Sequence, residues 1–138
     1  MIERRFMTPK KKNKKEPIRL LIVDDEVGFA NVLSKRLFKR DISSVQVNSG
    51  SEAIQALRGQ DFDLALLDLK MEDMNGIEVL IMFKRMVPEM PVIMLTGHGC
   101  EESAKEGLSI GAYDYLIKPC KLEDLISKVY KAVSEDKA

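Results

Sequence analysis

The stretch Ile18-Arg19-Leu20-Leu21-Ile22-Val23-Asp24-Asp25 decides the fold. Its almost continuous apolar run suits a strand buried on both faces, and such strands belong to parallel sheets covered by helices. Three further apolar runs each end on a polar residue of a different kind: residues 64–67 before Asp68, 92–95 before Thr96, and 115–117 before Lys118-Pro119. In an open parallel sheet the carboxyl ends of the strands share one edge, so residues far apart in sequence converge there. An acidic pair, a third acid, a hydroxyl and an ammonium would form a site for a divalent cation and a phosphoryl group.

Between these runs the sequence carries helical periodicity. Val27, Ala30, Leu33 or Ser34, and Leu37 define a first helix, with Asp24 to Glu26 placed where negative charge favours a helix N-terminus. A weaker strand is expected over 44–48, followed by the capping-box pair Ser49 and Glu52, a helix through about Leu57, and Gly59 at its end. Asn75-Gly76 opens a third helix carrying Ile77, Leu80, Ile81, Lys84 and Val87, which Pro88 stops; Pro91 then admits the fourth strand. Gly97 and Gly99 flank His98 in a loop expected to be flexible, before a helix from about Glu101 to Ile110 with Gly111 as its left-handed cap. Leu122, Leu125, Ile126, Val129, Tyr130 and Val133 give the cleanest amphipathic helix. Five strand-helix alternations require right-handed crossovers, hence a parallel sheet between two helix layers.

The composition narrows the function. The 138 residues, 45% hydrophobic, suit one compact domain without disulfides or a structural metal. Lys+Arg and Asp+Glu both number 22, so there is no global pull toward nucleic acid or membrane, and any electrostatic function is local. Cys100 and Cys120 form no metal-binding pattern, and neither a membrane span nor a signal peptide is expected, which points to a reducing cytoplasmic setting. The eight methionines are assigned to packing; Met82, Met86, Met90 and Met94 lie within helix or strand patterns. Residues 1–17 read as a flexible basic arm, with Lys10, Lys11, Lys12, Lys14 and Lys15 taken as solvated charge; 134–138 read as a polar tail. The folded domain is thus expected over 18–133. No GxGxxG or P-loop glycine pattern follows the first strand, so the strand-end residues must carry the chemistry.

Taken singly, each of these residues has an ordinary structural use. Asp24 and Asp25 could cap a helix, Asp68 could sit in a solvated turn, and Thr96 could make a local hydroxyl turn. Their joint occurrence at four strand ends is what argues for a site. The motif set resembles the receiver domain of two-component response regulators over roughly residues 18–133, matching an acidic pair, an Asp, a Thr followed by a small residue, and Lys-Pro. The resemblance implies a (βα)5 flavodoxin-like three-layer sandwich with strand order 2-1-3-4-5.

It further implies that Asp68 accepts a phosphoryl group from the phosphohistidine of a sensor histidine kinase or a histidine phosphotransfer protein. Mg²⁺ would be held by Asp24, Asp25, Asp68 and the Lys70 backbone carbonyl, with Lys118 and Thr96 contacting the phosphoryl oxygens. The Lys118-Pro119 bond would be cis, and Thr96 and Tyr115 would act as the switch, with Tyr113 the weaker candidate. Lys70 and His98 would face hydrolytic water as rate modulators, and a plain loop role for His98 stays open. His98, lying between two glycines with no helix to present it, is rejected as a phosphohistidine donor. Output would pass through the face of helix 4, strand 5 and helix 5 to a downstream protein or a further output domain, with homodimerisation on phosphorylation. No membrane or direct nucleic-acid binding is expected. Such a chain is a signalling switch, not an enzyme, catalysing only its own phosphoryl transfer and autodephosphorylation.

One departure stands out: Glu72 follows Met71 where many receivers have proline, which loosens this loop in the unfolded chain and adds a carboxylate. Two other classes of function fit the residues less well. A receiver-like interaction module that is never phosphorylated is opposed by the intact residue set. A small-molecule phosphohydrolase with an Asp nucleophile is weaker, since Lys70 stands where a second acid would be expected and there is no cap domain.

Overall fold

The computed structural model describes residues 17–97 and 99–134. The elements run β1 (Ile18–Val23), α1 (Val27–Phe38), β2 (Ile42–Val47), α2 (Gly50–Gly59), β3 (Leu64–Asp68), α3 (Gly76–Met86), β4 (Val92–Thr96), α4 (Glu101–Ile110), β5 (Asp114–Ile117) and α5 (Leu122–Ser134). All four strand pairings are parallel, and the order is β2-β1-β3-β4-β5, as the resemblance implied.

The two-residue alternation of a strand divides the core into two layers. Leu20, Ile22, Leu64, Leu66, Ile93 and Leu95 pack against Ala30, Leu33 and Leu37 of α1 and Leu125, Ile126 and Val129 of α5. Leu21, Val23, Ala65, Leu67, Val92 and Met94 pack against Ala53 and Leu57 of α2, Val79, Leu80 and Phe83 of α3, and Ala104 of α4. β3 and β4 are buried at every position, which is why their sequences read as unbroken apolar runs. Each fully buried Leu or Ile contributes about 1.5–3 kcal/mol, against about 1 kcal/mol for a helix cap. The sheet therefore sets where its carboxyl edge lies, and the caps only trim the helix starts.

β2 begins at Ile42, two residues before the expected start, and ends at Val47. Its in-register pairing with β1, from Ile18↔Ile42 to Val23↔Val47, supplies the backbone bonds that its polar Ser43, Ser44 and Gln46 obscure in a hydrophobicity pattern. Tyr130 falls on the apolar stripe of α5 yet is exposed, its hydroxyl donating to the Arg40 carbonyl at 3.3 Å. Met90 and Met94 are fully buried, whereas Met82 and Met86 are half-buried. The acids before α1 do not cap it: Glu26 holds the N-cap position without a side-chain bond to a helix amide. Except for Pro17, the basic arm lies outside the described residues, as do residues 135–138 of the tail. Among the described residues no helix is long and apolar enough to cross a membrane.

Candidate functional site

The alternation that sorts the core also aims the site. Leu20 and Ile22 face α1 and α5, so Asp24 continues on that side; Leu64 and Leu66 do the same for Asp68. Asp24, Asp68 and Thr96 are the buried polar residues of the described chain, with Asp24 and Thr96 only 1% exposed. Lys118 follows β5 at the same edge, its amide donating to the Thr96 carbonyl at 2.7 Å. The Lys118-Pro119 bond is cis, as the resemblance implied. Gly76 lets the loop after Asp68 close: a Cβ there would lie 2.5 Å from Leu69 Cα, and its amide donates to the Leu69 carbonyl at 3.1 Å.

One carboxylate oxygen from each of Asp24, Asp25 and Asp68 lies within 4.8 Å of the others, a spacing one cation can bridge. The donor set is all hard oxygen, which suits Mg²⁺ or Ca²⁺ over softer metals. The electrostatics point the same way. Burial pushes the Asp68 carboxyl up to about 6 from 3.8, and repulsion from Asp24 and Asp25 adds to it, while the Lys70 amide and the Lys118 charge oppose it. An acid crowded in this way is stabilised in its ionised form by a bound cation. Asp68 Oδ1 accepts from the Lys70 amide at 3.1 Å, leaving Oδ2 toward Lys118.

Lys118 Nζ donates to Asp24 Oδ2 at 2.7 Å and to Glu26 Oε1 at 2.9 Å, and stands 3.9 Å from Asp68 Oδ2. It also lies 4.3 Å from the centroid of the Phe29 ring. Burial works against the ammonium charge, but the hydrogen bonds it donates to Asp24 and Glu26 and the charges of Asp24 and Asp68 outweigh it and hold its pKa above the ordinary value.

Asp24, Asp25, Asp68 and Lys118, expected from sequence to converge, therefore do meet. Thr96 stands on the neighbouring strand, one residue past Leu95, the partner of Asp68 in the β3–β4 register. Tyr115 is half-buried against the core layer that holds Ala104, and it pairs in register with Met94, two residues before Thr96. Alternation thus sets Thr96 and Tyr115 on one face of the sheet. Lys70 is exposed in the loop after Asp68, and His98 lies outside the described residues. Glu26 and Phe29 were not foreseen as part of this site: Glu26 read as helix-dipole charge, and Phe29 sat in no motif.

An acidic, cation-ready pocket at the carboxyl edge of such a sheet, with an ammonium over it, defines a phosphoacceptor class of domain. The chain belongs to the response regulator receiver domain family, whose model matches residues 20–130. It is 37% identical over 117 residues to the transcriptional regulatory protein ZraR of Escherichia coli K12, which covers 85% of this chain and 26% of ZraR. It is 36% identical over 112 residues to the regulatory protein LuxO of Vibrio cholerae, covering 81% of this chain and 25% of LuxO. The receiver domain of NtrX from Brucella abortus superposes with a TM-score of 0.81 at 29% identity, covering 85% of this chain and 99% of that structure. The chain spans about a quarter of the length of the curated relatives it matches.

Proposed function

We propose that Asp68 is the phosphoacceptor of this receiver and that Asp24, Asp25, Asp68 and the Lys70 carbonyl hold Mg²⁺ beside it. The cation, when bound, neutralises the carboxylates and the incoming phosphoryl oxygens. The donor is the phosphohistidine of a sensor histidine kinase or a histidine phosphotransfer protein. A carboxylate oxygen of Asp68 attacks phosphorus in line as the P–N bond breaks. The electron pair of that bond returns to the imidazole, and an acyl phosphate remains on Asp68. Lys118 pairs with the new phosphoryl charge, and the Thr96 hydroxyl donates to one of its oxygens.

What carries this reading is the placement of Lys118 Nζ within 4 Å of both Asp24 and Asp68, at 2.7 Å and 3.9 Å, beside a carboxylate cluster of metal-ligand spacing. Only a short displacement of one ammonium separates its present partner from a group on Asp68. Movement of Thr96 toward that group would draw Tyr115 inward and alter the α4–β5–α5 face. That face would bind a downstream protein, a further domain or a second copy of the chain, in a cytoplasmic phosphorelay. Lys70 and His98 would tune the lifetime of the acyl phosphate.

The test is intact mass after incubation with acetyl phosphate and Mg²⁺, for the native chain and Asp68→Asn, with and without chelator. An adduct on the native chain with metal alone is expected. An adduct persisting on the folded Asp68→Asn variant would sink the assignment.

A further inference from the structure

The segment that joins β2 to α2 and opens that helix touches both loops that carry the carboxylates. On one side, the Asp24 amide donates to the Val47 carbonyl at 3.1 Å, and the Asn48 side chain donates to the Asp24 carbonyl at 3.1 Å. On the other, Asp73 reaches across from the loop after Asp68. Its Oδ1 accepts from the Gly50 amide at 2.9 Å, and its Oδ2 accepts from the Ser51 amide at 3.1 Å and the Ser51 hydroxyl at 3.2 Å. These are helix N-terminal amides that would otherwise lack intrahelical partners, and the helix dipole favours the negative charge. The two backbone amides hold the Asp73 carboxyl below its usual range. The neighbouring residue is seated in the same place: a Cβ at Gly50 would lie 2.7 Å from Met74 Sδ and 2.9 Å from Met74 Cβ.

We propose that Asp73 is a positioning residue: by anchoring the tip of the β3–α3 loop to α2, it fixes Lys70 relative to Asp68 and so sets the affinity of the carboxylate cluster for its cation. The loop is closed at its base by the Gly76 amide on the Leu69 carbonyl, but its outer part contains no proline and carries Glu72 exposed. Lys70 lies between base and tip, with its amide on Asp68 Oδ1 and its carbonyl assigned to the cation in the functional reading on which this proposal rests. Releasing the tip leaves Lys70 free to rotate away, which a site built on fixed oxygens does not tolerate.

Ser49 provides the control, because its hydroxyl caps the same helix by accepting from the Glu52 amide at 3.1 Å, a bond within α2 that does not involve the β3–α3 loop. The experiment compares the native chain, Asp73→Ala, Asp73→Asn and Ser49→Ala by Mg²⁺ titration calorimetry and by amide exchange in chelator. Asp73→Ala is expected to weaken Mg²⁺ binding by about tenfold and to speed Lys70 amide exchange by roughly threefold or more. Asp73→Asn, which keeps one acceptor oxygen, should fall between and serves if the alanine variant fails to fold. Ser49→Ala should lower the thermal midpoint while leaving the dissociation constant and Lys70 exchange within about twofold of native. Native-like Mg²⁺ affinity and Lys70 exchange in a folded Asp73 variant, or equal changes in Ser49→Ala, would overturn the proposal. Failure of the native chain to bind Mg²⁺ would instead refute the functional reading, with Lys70 exchange in chelator still deciding the anchor.

Discussion

The Lys118 ammonium lies 2.7 Å from Asp24 and 3.9 Å from Asp68, so its nearest partner is the buried acid that follows the first strand and not the one that ends the third. Asp24 is 1% exposed, and a carboxylate that deep is costly unless paired. Lys118 therefore has a structural duty before it has a chemical one.

Removing that ammonium by Lys118→Ala leaves Asp24 and Asp68 facing each other uncompensated. Breaking a buried pair from one side is destabilising, by about 2–3 kcal/mol here once the partial exposure of the lysine is allowed for. Urea unfolding in chelator should show this loss and Mg²⁺ should recover most of it, while phosphorylation no longer alters the output face. An unchanged urea midpoint in chelator would contradict the pairing.

The raised Asp68 carboxyl sets a direction for pH dependence. Its folded pKa, about 6, exceeds the ordinary 3.8, so the folded state holds the proton more tightly. The stability this contributes is full below pH 4 and is lost as pH rises through about 6. At 1.36 kcal/mol per unit the upper bound is about 3 kcal/mol. Asp73, held below its usual range by the Gly50 and Ser51 amides, acts in the opposite direction at lower pH. The difference between native and Asp68→Asn isolates Asp68. In chelator, the variant should gain stability over native between pH 4.5 and 7; a gap that does not widen with pH would refute the shift.

Glu26 pairs with Lys118 at 2.9 Å, its own side chain 64% exposed, so under the proposed function it would compete with a phosphoryl group for that ammonium. An exposed ion pair of this kind is worth about 1 kcal/mol or less. Glu26→Gln should accordingly speed phosphoryl uptake from acetyl phosphate by up to about fivefold. Slower uptake at equal Mg²⁺ affinity would mean that Glu26 aids the transfer.

Thr96 and Tyr115 share a sheet face on neighbouring strands, which predicts that they act in series. Thr96→Ala should still accept the phosphoryl group, as judged by intact mass, yet lose the phosphorylation-dependent change in amide exchange across Glu101–Ile110 and Asp114–Ile117. A coupling of about 1–3 kcal/mol is enough for the native change to be measurable. Tyr115→Ala retaining that change would remove Tyr115 from the path.

The number of elements, their order and four of the five site carboxylates and cations were legible because buried parallel strands are apolar throughout and end abruptly on polar residues. Asp24, Asp25, Asp68 and Lys118 each close such a run. The fifth, Glu26, looked like dipole charge, since nothing local distinguishes a carboxylate that caps a helix from one that turns back to an ammonium 92 positions away. The start of β2 is hidden from the sequence for a related reason: its membership rests on backbone pairing with β1, which side-chain polarity does not report.

By itself, then, the sequence determined the layered (βα)5 class, the strand ends and the chemical types gathered there, because periodicity and burial are written residue by residue. Only the tertiary structure decided which groups meet: that Lys118 rests on Asp24 and Glu26, that Asp73 seats on the first turn of α2, and that Tyr130 stays exposed on its stripe. Those are distances between segments tens of residues apart, set by sheet register and crossover path, and no local pattern encodes them.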